Sequence, residues 1–543
     1  MIVSFALVAA ILSIWDLRQS RWDIRQAIGS FRLSDFLIVI VIFAVTVLTT
    51  LHPPGAFDDT MYHLPVARAY AEHGGIVVLP YIRFPLFPQY MELLIGLGWR
   101  IGGDLGAEIF AQLPLSLLAI SLIAASKLFT GRILAGALAI CILLLAVSPI
   151  RATLGYAYVD AGLGFFCWIA TFALALEAES SIERRNFFWP LVAGVFGGIA
   201  IGIKYFGIPC AGLLGLWILF VRRDLKGFAL FAAAIVVVGG GWYLRSFIVA
   251  GNPFHPAASE IFGYYLWNAD DLAFQKQDIA IRHHSSPGMA DIAAIFVDAL
   301  NRGGAEIFLF VFASWFIRGL SPGLRLFRFI ASLYTIFWFM FAQLDRYLAP
   351  AVAAASLLTI IVLARFDLPH TVRDAWNRFP ALAKNTLAGA FTAAALVACV
   401  LQASQKLALS DTAWAMPTEG RIGYQLFQKA QSLKPEYGDR LMQIGMENAV
   451  YFFDGTVIGD HFGPGRYEQM RHCSNGKCTL LEPDRMKAVM QCHHANMFAA
   501  SRSSMFDEAA YEQAFTVLLK DDDGTLFGMK PNPSLCSNNG AAG

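Results

Sequence analysis

The chain has 543 residues, 57% of them hydrophobic and only 15% charged, with a formal net charge of +1. Soluble domains carry about a quarter charged residues, so an apolar excess on this scale calls for lipid as a second solvent. The near-neutral balance argues against a nucleic-acid partner.

In chain order, the apolar segments run approximately 2–15, 35–51, 108–127, 133–150, 158–176, 187–202, 206–221, 228–249, 305–319, 328–343, 347–363 and 386–403. Most approach the roughly 20 residues that a helix needs to cross a hydrocarbon core, which predicts about 11–12 transmembrane helices. Segment 2–15 is short; a surface helix or a secretory h-region is its other reading. The most basic connections are Arg18/Arg21/Arg25/Arg32, Lys127/Arg132, Arg184/Arg185, Arg222/Arg223/Lys226, Arg318/Arg325/Arg328 and Arg365/Arg373/Arg378/Lys384. If the spans alternate, all of them fall on one side, and the excess of Lys and Arg makes that side the cytoplasm. The fold class expected is a polytopic α-helical membrane module, residues 1–403, followed by a small periplasmic α/β domain, residues 404–543. The expected location is the bacterial inner membrane. Loops 52–107 and 250–304 and the tail then face outward, and function is sought there.

The first outer loop opens with Phe57-Asp58-Asp59-Thr60-Met61-Tyr62-His63-Leu64-Pro65. A helix is expected from Val66 to His73, with Pro65 tolerated in its first turn and Gly74-Gly75 as its stop. One aspartate has a structural reading as an N-cap. Two adjacent carboxylates point in different directions, so they can serve two roles. Further on, Pro80-Tyr81-Ile82-Arg83-Phe84-Pro85-Leu86-Phe87-Pro88 is stiff and amphipathic, suited to the membrane interface. Arg83 there reads either as a snorkelling anchor or as a fork for phosphate oxygens.

Charged residues recur at the outer ends of later spans: Asp160, Lys204, Arg245 (ahead of the Gly251–Pro256 turn with His255) and Arg346 beside Tyr347. Singly, each reads as an anchor or a local ion pair, such as Asp345 with Arg346. Together with Asp58, Asp59 and Arg83 they map to one depth on one face. A pore spreads such groups along its length; a one-sided cluster suits an active site, with carboxylates for proton transfer and cations for a lipid phosphate.

The Phe57-Asp58-Asp59-Thr60-Met61-Tyr62 motif resembles the paired acidic motif of GT-C-fold glycosyltransferases, the group containing protein O-mannosyltransferases and aminoarabinose lipid A transferases. Ile82-Arg83-Phe84-Pro85-Leu86, Tyr158-Val159-Asp160, Gly202-Ile203-Lys204 and Arg346-Tyr347 resemble that family's later landmarks, in order, over roughly residues 35–365. The resemblance implies transfer of a sugar from a polyprenyl-phosphate donor to an acceptor hydroxyl (glycan, lipid or protein), usually with inversion. It implies Asp58 as general base and Arg83, Lys204 and Arg346 as holders of the departing phosphate. Arg245 and Tyr347 are grouped with the phosphate side, and Tyr62, His63 and His255 with the acceptor side. Asp160, placed with Asp58 and Asp59 among the catalytic residues, would position acceptor or sugar. The resemblance leaves a divalent cation as an option, and such a cation, if used, falls to Asp59 and Asp160. Asp59 stands where many relatives have Glu, which leaves its role open. The chemistry is coherent in itself, because displacing a phosphate needs charge stabilisation on the leaving oxygen and a base near the nucleophile.

The tail changes character. A strand and helix start are expected within 440–453, short strands at 497–501 and 515–519, and helices around 421–433, 484–492 and 506–514. The glycine-rich run Phe453–Tyr467 reads as a turn-rich connection, or as a loop covering the cleft. Of eight cysteines, Cys141, Cys167, Cys210 and Cys399 lie in apolar segments. Cys473, Cys478, Cys492 and Cys536 lie in the tail, where two disulfides are expected with the pairing open. A zinc site with His472, His493 and His494 is the rival, although the spacing matches no finger. The competing functions are a transporter or flippase for a lipid-linked glycan, and a polymerase or ligase acting on one. A transporter wants broken helices and polar groups at the midplane in matching halves, and the sequence has no such repeat.

Overall fold

The structure is a computed structural model that describes residues 33–130, 153–179, 187–283, 306–341, 344–365, 421–474 and 477–529. The expected segments 2–15, 133–150 and 386–403, and with them Cys141, Cys399 and Cys536, lie outside the described residues. The chain divides into a short unit, Met1–Val45, and a large one, Thr46–Gly543, which carries all the elements below except the first part of α1.

The helices α1 (Leu33–Thr49), α2 (Leu64–His73), α3 (Tyr90–Thr130), α4 (Asp160–Glu179), α5 (Phe188–Ile201), α6 (Gly207–Leu216) and α7 (Leu225–Ala250) follow one another along the chain. After α8 (Ala269–His283) come α9 (Glu306–Ala313), α10 (Pro322–Phe341) and α11 (Ala349–Arg365). Four of them, α3, α4, α7 and α10, are long and apolar enough to cross a bilayer, and α5, α6 and α11 are shorter apolar helices. On α7, Val236, Val237, Leu244 and Ile248 are more than half exposed. Large aliphatic groups laid open along one helix need lipid around them. The chain is a multi-pass membrane protein.

Helix α3 settles how the first outer loop ends. At about 1.5 Å per residue, 41 helical residues would reach about twice the thickness of a hydrocarbon core. The helix is instead broken at Gly102 and Gly103, and Gly103 takes φ +58° with ψ −143°, a region open only to glycine. The chain folds back there so closely that a Cβ on Gly98 would lie 2.3 Å from the Gly106 carbonyl oxygen. The arm Tyr90–Ile101 therefore packs on α2, and the second arm, from near Asp104, carries the apolar segment expected at 108–127. The core beneath is aromatic: Trp168 stacks on Phe172 and on Phe327 of α10, with centroids 5.6 and 4.9 Å apart.

The tail is a mixed α/β domain. Its sheet has the order β2-β1-β5-β7-β6, from β1 (Arg440–Ile444), β2 (Thr456–Ile458), β5 (Met497–Ser501), β6 (Thr516–Lys520) and β7 (Gly524–Gly528). β2, β1 and β5 run parallel, and β7 is antiparallel to both β5 and β6. Helices α12 (Tyr424–Ser432), α13 (Pro483–Cys492) and α14 (Glu508–Ala514) accompany it, each within a few residues of its expected place. β1, β5 and β7 are buried over nearly their whole length, as central strands covered on both faces must be.

The cysteine expectation is revised. Cys473 and Cys478 are joined across the hairpin of β3 (Arg471–Ser474) and β4 (Lys477–Leu480), and Cys492 is a free, exposed thiol. No group of three metal-binding side chains occurs among the described residues, and His493 instead bonds Gln469 at 2.8 Å.

Candidate active site

The double aspartate lies in a π-turn. Residues Asp59–His63 form a five-residue wide turn leading directly into α2, with the Leu64 N–H returning to the Asp59 carbonyl. Such turns carry one residue more per loop than an α-helix and swing neighbouring side chains apart. Asp58 makes no capping bond, so the helix-cap reading does not hold for it. Its carboxylate is nearly buried, accepts the Tyr62 hydroxyl at 3.3 Å and pairs with the Arg346 guanidinium. Burial works to raise the Asp58 carboxyl. The adjacent Arg346, with Lys204 further off, outweighs burial and holds it below the usual carboxylate range.

A second ion pair stands beside the first. Asp160, at the first residue of α4, is fully buried and accepts Lys204 Nζ at 3.1 Å. Lys204 lies on the tight turn between α5 and α6, and its ammonium sits 4.7 Å above the Tyr347 ring. Tyr347 stacks on Phe206 at 3.9 Å, while the Arg346 guanidinium lies over Tyr158 at 5.2 Å. Asp58, Asp160, Lys204, Arg346, Tyr62 and Tyr347 thus converge from the π-turn, α4, the α5–α6 turn and the start of α11. Tyr158 joins them, a residue that the sequence offered only as part of the Tyr158-Val159-Asp160 landmark and without a role of its own.

Of the remaining expected residues, His63 stays beside the cluster, its ring 4.0 Å from that of Tyr62, while Asp59, Arg83, Arg245 and His255 go elsewhere. Asp59 turns to the acidic side chains Glu108 and Asp104; burial, reinforced by Asp104, pushes its carboxyl up to about 7. Asp160 is engaged with Lys204 through Oδ1.

Arg83 has a carboxylate partner in the tail domain. It grips Asp460 of the tail domain with Nε at 3.0 Å from both carboxylate oxygens and Nη2 at 2.5 Å from one. Its guanidinium also lies 5.0 Å from the Phe462 ring centre. Arg245 clamps the proline-rich segment through Tyr70 Oη at 3.1 Å, Gln89 Oε1 at 3.0 Å, and the Pro85 and Phe87 carbonyls. His255 is buried, bonding the Tyr265 carbonyl through Nε2 at 2.5 Å. In these positions both long side chains tie loops together, because each meets several acceptors with geometry only a guanidinium satisfies.

The glycine-rich run of the tail rests on both outer loops. Besides Arg83–Asp460, Arg466 pairs with Asp271 of α8 at 2.8 Å, and Phe462 stacks on Trp267 at 4.4 Å with the rings 6° from parallel.

Residues 415–528 match the protein family described as SF2091/S2213. The Shigella flexneri protein SF2093/S2215 is 42% identical over 160 residues, covering 30% of this chain and 80% of the relative. SF2092/S2214 of the same organism is 35% identical over 156 residues, 27% of this chain and 82% of the relative. The chain belongs to this family. In fold, it is similar to ArnT from Cupriavidus metallidurans bound to undecaprenyl phosphate, with a TM-score of 0.57 at 15% identity over 91% of this chain and 97% of the other. It is also similar to the Archaeoglobus fulgidus oligosaccharyltransferase in the apo form, with a TM-score of 0.52 at 14% identity over 86% of this chain and 69% of the other. At such identities the likeness is one of fold, and that fold is the GT-C architecture.

Proposed function

We propose that the protein is a membrane glycosyltransferase that moves a sugar from a polyprenyl-phosphate donor to an acceptor hydroxyl at the outer face of a bacterial inner membrane. The observation that carries the reading is the pair of adjacent ion pairs, Asp58–Arg346 and Asp160–Lys204, under tyrosine rings at the outer ends of the helices. Each cation has a carboxylate partner, and a lipid phosphate competes for both. When phosphate oxygens take Arg346, the charge that holds Asp58 ionised is neutralised. Losing an adjacent cation raises a carboxylate's proton affinity by roughly one to three pKa units. Asp58 becomes a better base when the donor is bound, and takes the acceptor proton as the new C–O bond forms at the anomeric carbon. The phosphate leaves with the bonding electrons, its charge met by Lys204 and Arg346. Attack opposite the leaving group inverts the anomeric centre. The likeness to ArnT bound to undecaprenyl phosphate supports a lipid phosphate of this class.

The test is glycan analysis of cells lacking the protein, complemented with wild type, Asp58→Asn or Asp58→Ala. A sugar that returns with wild type and not with correctly inserted variants supports the assignment. Full rescue by both variants removes Asp58 from the chemistry.

A further inference from the structure

Next to the two ion pairs is a narrow cleft lined by Tyr62, His63, Phe84, Gln89, Glu92 and Lys204, among others. One of its polar pairs has no part in the mechanism above. His63 and Glu92 are both buried, 2% and 3% exposed, and His63 Nδ1 lies 2.7 Å from Glu92 Oε1. The outer atoms of the pair, His63 Nε2 and Glu92 Oε2, are buried with no hydrogen-bond partner. Leaving a buried polar atom unpaired costs about 1–3 kcal/mol, so two such atoms on residues that line one cleft point to a ligand that satisfies them. Gln89 is already occupied by Tyr70 and Arg245, and Lys204 by Asp160. His63 with Glu92 is the open position.

Tautomer chemistry says what the position accepts. When the ring carries a single proton on Nδ1, donated to the Glu92 carboxylate, Nε2 is an acceptor that takes an O–H or N–H donor. The free space in the cleft is about that of one water molecule, enough for a single hydroxyl and too small for a sugar ring. The other lining residues, Phe84, Phe87, Pro88 and Tyr62, are apolar or aromatic and offer that hydroxyl little competition for His63.

We propose that this cleft is a sugar-recognition subsite, in which one ring hydroxyl of the transferred sugar donates to His63 Nε2 and Glu92 fixes the imidazole for it. The proposal rests on the donor reading above and adds to it a specificity-determining residue. A donor lacking that hydroxyl leaves His63 Nε2 unpaired in the complex, which is how a site built for a hydrogen bond rejects an analogue.

The experiment uses the full-length protein purified in detergent and measures binding of undecaprenyl phosphate and of its glucosyl and galactosyl forms. Wild type is expected to bind one sugar-bearing form about five- to tenfold more tightly than bare undecaprenyl phosphate, the equivalent of one net hydrogen bond. His63→Ala is expected to remove that increment while undecaprenyl phosphate binds as before, which also shows that the variant is folded. His63→Gln, whose amide oxygen can accept the same bond, recovers part of it. An increment that survives in His63→Ala overturns the proposal. If wild type binds all three lipids equally, the donor reading stands and the subsite falls. If wild type binds none of them, the donor reading falls and takes the subsite with it.

Discussion

The Arg83–Asp460 bridge offers the sharpest test of how the tail domain is held on the membrane module. Arg83 is 13% exposed and Asp460 6% exposed, and the guanidinium makes three close contacts to that carboxylate, with Glu447 at 4.0 Å behind it. Replacing Arg83 by Met keeps the apolar stem over Phe462 and leaves Asp460 buried without its counter-ion. Breaking one side of a buried pair costs about 3–5 kcal/mol, most of it the stranded charge. A loss of about 3 kcal/mol in docking raises the population of the undocked domain more than a hundredfold. Hydrogen exchange over residues 460–467 of the full chain in detergent reads that change directly. The companion variant, Asp460→Asn, strands the arginine instead. The double variant Arg83→Met/Asp460→Asn strands neither charge, so its loss is expected to be smaller than the sum of the singles by at least about 1 kcal/mol. Strictly additive losses would refute the reasoning, because they would mean that the two side chains act independently.

Further outcomes follow from particular residues. Gly98→Val puts a Cβ 2.3 Å from the Gly106 carbonyl oxygen and is expected to cost at least about 1–3 kcal/mol, lowering the melting temperature in detergent. Gly102→Ala, with nothing within 4 Å of its new Cβ, is the control, and equal losses from the two would contradict the backbone contact. Asp59, whose carboxyl burial pushes up to about 7 against 3.8 for the free group, binds a proton more tightly when folded. Its contribution is complete below about pH 4 and is lost as pH rises through 7. Asp59→Asn should flatten the fall in melting temperature across that window, and an unchanged slope counts against the shift. Arg346→Gln leaves Asp58 buried without its principal counter-ion, at a cost of about 3–5 kcal/mol. The double variant with Asp58→Asn should recover much of this in the same melting assay.

Much of the architecture was legible from residue order. Apolar length and the placement of arginines give the spans, because the thickness of lipid and the cost of moving charge across it act on local sequence. The tail helices and strands were legible for the same reason: Met497–Ser501 and Tyr424–Ser432 carry their periods within a few residues. Asp58, Asp160, Lys204 and Arg346 could be chosen as a set because ionisable groups at membrane depth are too costly to be idle.

What order alone does not fix is which charge meets which. Arg83 and Arg346 read alike, each a cation beside aromatic residues near the membrane surface. Only folding sends Arg83 to Asp460, 377 residues away, and Arg346 to Asp58. Likewise Asp58 and Asp59 are neighbours with identical side chains, and the π-turn alone separates a carboxylate held ionised by arginine from one pushed up among acids. His63 was named from the sequence, with the acceptor side, but its pairing with Glu92 had no sequence signal, since the two residues stand 29 apart and meet only when α2 packs on the first arm of α3. Spans follow from a solvent that acts on every residue in turn. Sites follow from distances of a few ångströms, and those exist only once the chain has closed on itself.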